Sequence, residues 1–267
     1  MGTNMSDWLH SLPVAWMALL VFGVTYLLAA AIYAVVTVLS VGERARSFKT
    51  IKTISPGLLP PLGIIFGLFV AFTAAQVWTD NEKARAEIDR EASALRSVVI
   101  FAASLPGDSE LHLRDLIRRY IADVVTQEWP MMARGTANLT AIPGALAEAL
   151  KTTLAVMPTT EGQKTAQRAI ATALETALDA RRQRIFISQS QVNLLKWSCL
   201  IMQALCALLA IAMVHSANRL ASTMALGIFA TGVAASLLLI LAHDRPFTGE
   251  ISIKPDPLLQ VMPQIQS

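Results

Sequence analysis

The chain has 267 residues, of which 54% are hydrophobic and only 15% charged. Soluble domains carry about 25% charge, so this composition argues against an ordinary soluble globular protein. The formal net charge of +3 is too small to point to a nucleic-acid partner, and no basic stretch is interleaved with aromatic residues.

Four apolar segments carry the deficit: Ala15–Ser40, Leu58–Trp78, Trp197–Val214 and Leu220–Ala242. A helix needs about 20 apolar residues to cross a bilayer core of about 30 Å. Three segments reach that length and the third comes close, with no charged residue inside any of them. The expected fold class is all-α, with four transmembrane helices and a helical extramembrane insert between the second and third. The expected organisation is residues 1–78 with the first two spans, 79–190 as the insert, 191–243 with the last two spans, and 244–267 as a C-terminal tail.

The N-terminus lacks the positive patch of a cleavable secretory signal, so the first span is read as retained. Met1-Gly2-Thr3-Asn4-Met5-Ser6 matches a myristoylation pattern, but the span that follows already anchors the chain. The loop from Gly42 to Ser55 holds Arg44, Arg46, Lys49 and Lys52 against one acid. Pro56-Gly57 and Pro60-Pro61 then open the second span, because proline is tolerated in a first helical turn.

The second span mixes Gly63 and Gly67 with Phe66, Phe69 and Phe72. Small residues let helices approach closely, and bulky apolar rings at one level can form a constriction that gates by dewetting. Ordinary lipid-facing or packing residues would look the same. After Trp78 the pattern turns polar without a breaker until Pro106-Gly107. Ala84, Ile88, Ala92, Leu95, Val99 and Ala102 recur at helical steps, which extends the span out of the membrane as one helix to about Ser104.

A second insert helix follows Asp108-Ser109, with Leu113, Ile117, Tyr120 and Val124 on one face, and is expected to end at Trp129-Pro130. A short helix runs from near Pro143 to Pro158. Thr160 with Gln163 reads as a capping box. No proline follows before Val214, so one helix of about 50 residues is expected from there into the third span, roughly 80 Å long. Its polar half should pack on the extension of the second span.

Both short loops face one side of the membrane. The loop Gly42–Ser55 has four basic residues and the turn His215–Arg219 has one, and the insert balances its acids and bases. The positive-inside rule therefore puts both loops in the cytoplasm and the insert outside, in a cell (inner) membrane.

Chemistry-bearing motifs are sparse. His10, His112, His215 and His243 are far apart, and none sits in a metal-ligand spacing. Cys199 and Cys206 lie on one face of one helix, about 10 Å apart, too far to bridge. No serine, cysteine or threonine stands in a nucleophile motif. No Gly-rich phosphate loop occurs, and no cofactor is expected. Runs such as Asp89-Arg90-Glu91 read as a solvated helix face. An enzyme is not expected.

Two further features stand out. Arg181, Arg182 and Arg184 precede the third span by about three turns. In a symmetric oligomer they would repeat as a cationic ring that concentrates anions. As an interfacial anchor they would instead contact lipid headgroups. Directly after the fourth span, His243-Asp244-Arg245-Pro246-Phe247-Thr248-Gly249 ends a helix abruptly and docks the tail. Asp244, Arg245, Pro246, Phe247 and Gly249 are read as a structural motif.

At these residues the chain resembles the bestrophin-like domain family of four-span membrane proteins, from about Ser55 to Leu259. The landmarks are Val77-Trp78, the run Ala84–Leu95 with Glu91-Ala92, then Tyr120, Glu128-Trp129-Pro130, and Asp244-Arg245-Pro246-Phe247 with Gly249. That family is distantly similar to the bestrophin anion channels. The run Gly67–Trp78 looks like the bestrophin second span, where a neck narrows the pore. The resemblance implies neck positions at Ile64 and Leu68, aliphatic here rather than aromatic. Pro246-Phe247 with Gly249 looks like the segment after the bestrophin fourth span. Glu250 is followed by Ile251-Ser252-Ile253, so the acidic calcium clasp of bestrophins is absent. The resemblance also implies a cytosolic large domain, against the loop charges.

The combined expectation is a homo-oligomeric ion channel in a lipid bilayer, a pentamer by resemblance, passing inorganic ions and anions in particular. Ile64, Leu68 and Phe72, at steps of four on one helix face, would line the constriction. Arg181, Arg182 and Arg184 would attract anions. The rival expectation is a membrane-anchored sensor or assembly scaffold whose insert binds a partner.

Overall fold

The computed structural model describes residues 8–9, 12–40, 56–140 and 143–264. The Gly42–Ser55 loop and the N-terminal myristoylation pattern lie outside them. Among the described residues the structure is helical throughout, with no strand. The helices are α1 (Val14–Leu39), α2 (Leu59–Ala102, entered through the 3₁₀ turn Pro56–Leu58), α3 (Ser109–Asp123), α4 (Trp129–Ala133), α5 (Gly144–Ala155), α6 (Glu161–Ser188), α7 (Leu194–Val214), α8 (Arg219–His243) and α9 (Asp256–Gln260). A π-helical turn, Val124–Glu128, joins α3 to α4. Four of these helices are long and apolar enough to cross a membrane: α1, α2 with its 3₁₀ entry, α7 and α8.

The chain divides into two compact units. One holds Met1–Trp78 and Gln191–Asp244; the other holds Thr79–Ser190 and Arg245–Ser267. The tail after Asp244 thus groups with the insert.

In the first unit α1 packs along α8, and the Tyr26 and Thr231 hydroxyls meet at 2.7 Å. Ala29, Val36, Leu208, Ala212, Leu226 and Ala230 form one cluster. Phe66, Val77, Leu200, Ala204, Val233 and Ile240 form another. Alanine recurs at these contacts because, between lipid-embedded helices, close backbone approach replaces the hydrophobic drive. Most of each span stays uncovered: only 11% of the α2 apolar window is buried, against 33% for α7 and 28% for α8.

The second unit has one continuous core. Ala84, Ile88 and Leu95 of α2 share it with Leu113, Ile117 and Ile121 of α3 and with Ile170, Leu174 and Ala177 of α6. The predicted apolar stripes are therefore the faces that meet. Thr160 caps α6 by accepting from the Gln163 amide at 3.2 Å, but the Gln163 side chain returns to the Thr159 amide, one residue earlier than in a standard capping box. Gly107 and Gly249 take φ of +66° and +87° at their turns, where a side chain would be strained.

The expected 50-residue helix is two helices. α6 stops at Ser188 and α7 starts at Leu194. The five residues between carry no proline or glycine, but serine and asparagine side chains compete for local backbone groups. Asn193 Oδ1 accepts from the Leu195 amide at 3.1 Å and begins a new helix there. The Gln189 side chain leaves the helix to donate to the Ala137 carbonyl at 2.7 Å. Among the described residues, unbroken helix from span to insert belongs to α2 alone. The second insert helix also departs from expectation. It passes through the π turn and Pro130 to Ala133, because proline at the start of α4 has no helical amide to lose.

Candidate functional site

Two sets of residues carry the functional expectations, one in each unit. In the first, α2 presents opposite faces to different surroundings. Phe66, Thr73 and Val77 are buried within the chain, and the Phe66 ring lies 5.7 Å from that of Phe229. Ile64, Leu68 and Phe72 occupy the other side and are 69%, 52% and 68% exposed. Steps of four put the three along one line of the helix. Thr73 does not add polarity to the surface, since its hydroxyl donates to the Phe69 carbonyl at 2.8 Å. A Cβ built on Gly63 or Gly67 meets nothing within 4 Å. Among the described residues no helix of the same chain uses these glycines for close approach. At the end of this stretch Lys196 donates to Gln76, and the Trp78 and His243 rings stack at 5.9 Å.

In the second unit the landmark residues converge. Arg184 on α6 is fully buried and donates through Nε to Glu91 Oε2 at 2.8 Å and through Nη2 to Glu91 Oε1 at 3.2 Å. Nη2 also reaches Glu128 Oε1 at 2.6 Å, and Arg181 Nε donates to Glu128 Oε2 at 2.7 Å. The Tyr120 hydroxyl donates to Glu91 Oε1 at 2.6 Å. The Arg184 guanidinium lies 5.2 Å from the Trp129 ring centre, a cation–π distance. Trp129 in turn meets Phe247 edge-on at 5.4 Å and donates through Nε1 to the Ile253 carbonyl at 3.2 Å.

Two arginines and two glutamates balance in charge, and both oxygens of each carboxylate are engaged. Burial alone would weaken the hold of Arg184 on its proton, but Glu91, Tyr120 and Glu128 outweigh it and raise its affinity above the ordinary arginine value. Burial, followed by the Glu91 charge, pushes the Tyr120 hydroxyl well above the usual tyrosine range. Such a cluster is a lock: it holds α2, α3, the π turn and α6 in one register, and removing one partner strands a buried charge.

This arrangement corrects two expectations. Glu91 is not on a solvated face, although Asp89 and Arg90 beside it are exposed. The arginines do not form a free cationic surface either. Arg184 and Arg181 are buried and ion-paired with glutamates, and exposed Arg182 pairs with Asp179 at 3.1 Å. A field at a pore mouth needs uncompensated charge. Sequence reading missed Glu91, Glu128 and Tyr120 as a working set. The available signal was their place among the family landmarks.

After the fourth span, Asp244 Oδ1 accepts from the Val192 amide at 2.7 Å, within the first unit. Phe247 is buried in the second unit, where Thr248 donates to the Ala133 carbonyl at 2.7 Å and the Ile253 amide to the Pro246 carbonyl at 2.8 Å. Among the described residues no group of three or more His, Cys, Asp or Glu side chains could hold a metal ion.

Four apolar helices of spanning length define an integral membrane protein. The model of the Bestrophin-like domain matches residues 23–258, most of the chain, and the protein belongs to that family. Neither a curated protein nor a solved structure matches the chain.

Proposed function

We propose that the protein is an oligomeric ion channel rather than an enzyme, with the membrane half of α2 walling the path. The observation that carries this reading is the two-faced α2. Its Phe66–Val77 side is covered by its own chain, while Ile64, Leu68 and Phe72 face outward. α2 is also the least covered span. A ring of copies would set these three side chains around an axis, where an apolar girdle gates by dewetting. The open glycines Gly63 and Gly67 support close approach from another copy. Anion preference rests on the resemblance to bestrophins, since Arg181 and Arg184 are each ion-paired within the insert. The basic loop Gly42–Ser55 supports an outer-side insert in a cell membrane.

Planar-bilayer recording of purified protein tests the reading. Ion conductance is expected, and Leu68→Ala should alter it or introduce a leak. Silence across ions and voltages would contradict it. A monomer or dimer in detergent would favour the anchored scaffold instead, because four spans leave little room for an aqueous path.

A further inference from the structure

The extramembrane unit holds a cavity of about 190 Å³ beside the π turn Val124–Glu128. An engineered apolar cavity of about 150 Å³ is enough to take benzene; this pocket is of similar volume but half open and lined by polar as well as apolar side chains. Single π-helical turns are rare and recur at functional sites. Val124, Met131 and Pro143 give the cavity an apolar wall.

Among the described residues one cation stands in that wall. Arg181 is 9% exposed, and its Nε is held by Glu128 at 2.7 Å. Among the described residues its two terminal nitrogens have no partner, and they are not sealed from solvent. A planar guanidinium offers such a pair of donors as a fork that matches a carboxylate. Glu128 fixes the fork in advance, which lowers the ordering cost of binding. Both oxygens of Glu128 already accept from arginines, which weakens its pull on a ligand cation. Asp123 at the margin carries a further negative charge and disfavours a second carboxylate on the ligand.

We infer that this cavity binds a small monocarboxylate with an apolar body. The carboxylate sits on the Arg181 fork and the body lies against Val124 and Met131. Glu128 links Arg181 to Arg184, and Arg184 holds Glu91 on α2. An occupant of the Arg181 fork is therefore linked through three ion pairs to the helix that walls the proposed path. That consequence rests on the channel reading; the binding does not.

The test is equilibrium dialysis of the full-length protein in detergent with radiolabelled benzoate and butyrate. Saturable binding at one site per chain is expected, with benzamide and succinate at least tenfold weaker. Arg181→Lys, which keeps the charge facing Glu128 but loses the fork, should weaken binding tenfold or more. Gln127→Trp, at an exposed position on the cavity edge, should abolish binding without shifting the melting temperature. No saturable binding at millimolar concentration, equal affinity for benzamide, or undiminished binding by Gln127→Trp would overturn the inference. Binding intact in a protein that passes no current would sink the channel reading alone.

Discussion

The buried positions of the membrane-spanning unit are mainly alanines and a few large apolar side chains, gathered in two small clusters. Those of the extramembrane unit form one core that also encloses Arg184, Glu91 and Tyr120. The first unit leaves Ile64, Leu68, Phe72, Leu194 and Ile228 more than half exposed. The second holds a four-residue ion network among its helices. The difference follows from the solvent. In lipid an exposed apolar side chain costs little and packing alone draws helices together. In water the insert must bury its own apolar surface, and the charges it encloses must be matched. The insert and the tail thus share a core of their own, whereas the spans leave most of their apolar surface uncovered by the chain.

Substitution should separate the two behaviours. The largest effect is expected at Arg184. Arg184→Ala strands Glu91 in the core and should cost about 3–5 kcal/mol, read as a fall in the denaturant midpoint by tryptophan fluorescence. Replacing both partners, Arg184→Met with Glu91→Leu, should recover much of that loss. If the single variant melts like the parent, the network does not hold the insert together.

Next is the apolar core. Leu174 is fully buried, and Leu174→Ala should cost about 2–5 kcal/mol, measurable in the same unfolding experiment. Tyr120→Phe removes a buried hydrogen bond to a carboxylate and should cost about 1–3 kcal/mol at neutral pH.

The same variant sharpens the comparison through pH. Tyr120 keeps its proton in the folded state, whereas an unfolded tyrosine releases it near pH 10. Its contribution is therefore fully present below pH 10 and falls as pH rises beyond it, by up to about 1.4 kcal/mol per pH unit. The gap in stability between parent and Tyr120→Phe should narrow between pH 9 and 11. A gap that stays constant would place Tyr120 in water.

The smallest stability effect is expected on the outward face of α2. Ile64→Ala and Leu68→Ala should each change the melting temperature of the detergent-solubilised chain little, within about 0.5 kcal/mol, while changing conductance. A loss as large as that at Leu174 would mean that these side chains pack within their own chain.

How much of this the sequence discloses depends on the range of the interaction. The spans were legible because hydropathy is a local property and no charge interrupts it. The α2 extension and the faces of α3 and α6 were legible because their apolar residues repeat at helical steps. The break between Ser188 and Leu194 was not, since it rests on side chains such as Gln189 and Asn193 choosing backbone partners over helix. Glu91 and Arg184 were read as surface charges for a similar reason. Their partners lie far off in sequence: Glu91 and Glu128 are 93 and 56 positions from Arg184, and Tyr120 is 29 positions from Glu91. Ile64, Leu68 and Phe72 were placed on one helix line correctly by spacing, but spacing does not say what that line faces.

What it faces can be seen directly by single-particle imaging of the purified assembly in lipid. The account predicts a closed ring of copies with Ile64, Leu68 and Phe72 of every α2 turned toward a water-accessible axis. Acyl chains against those three side chains, with no passage through the assembly, would contradict it.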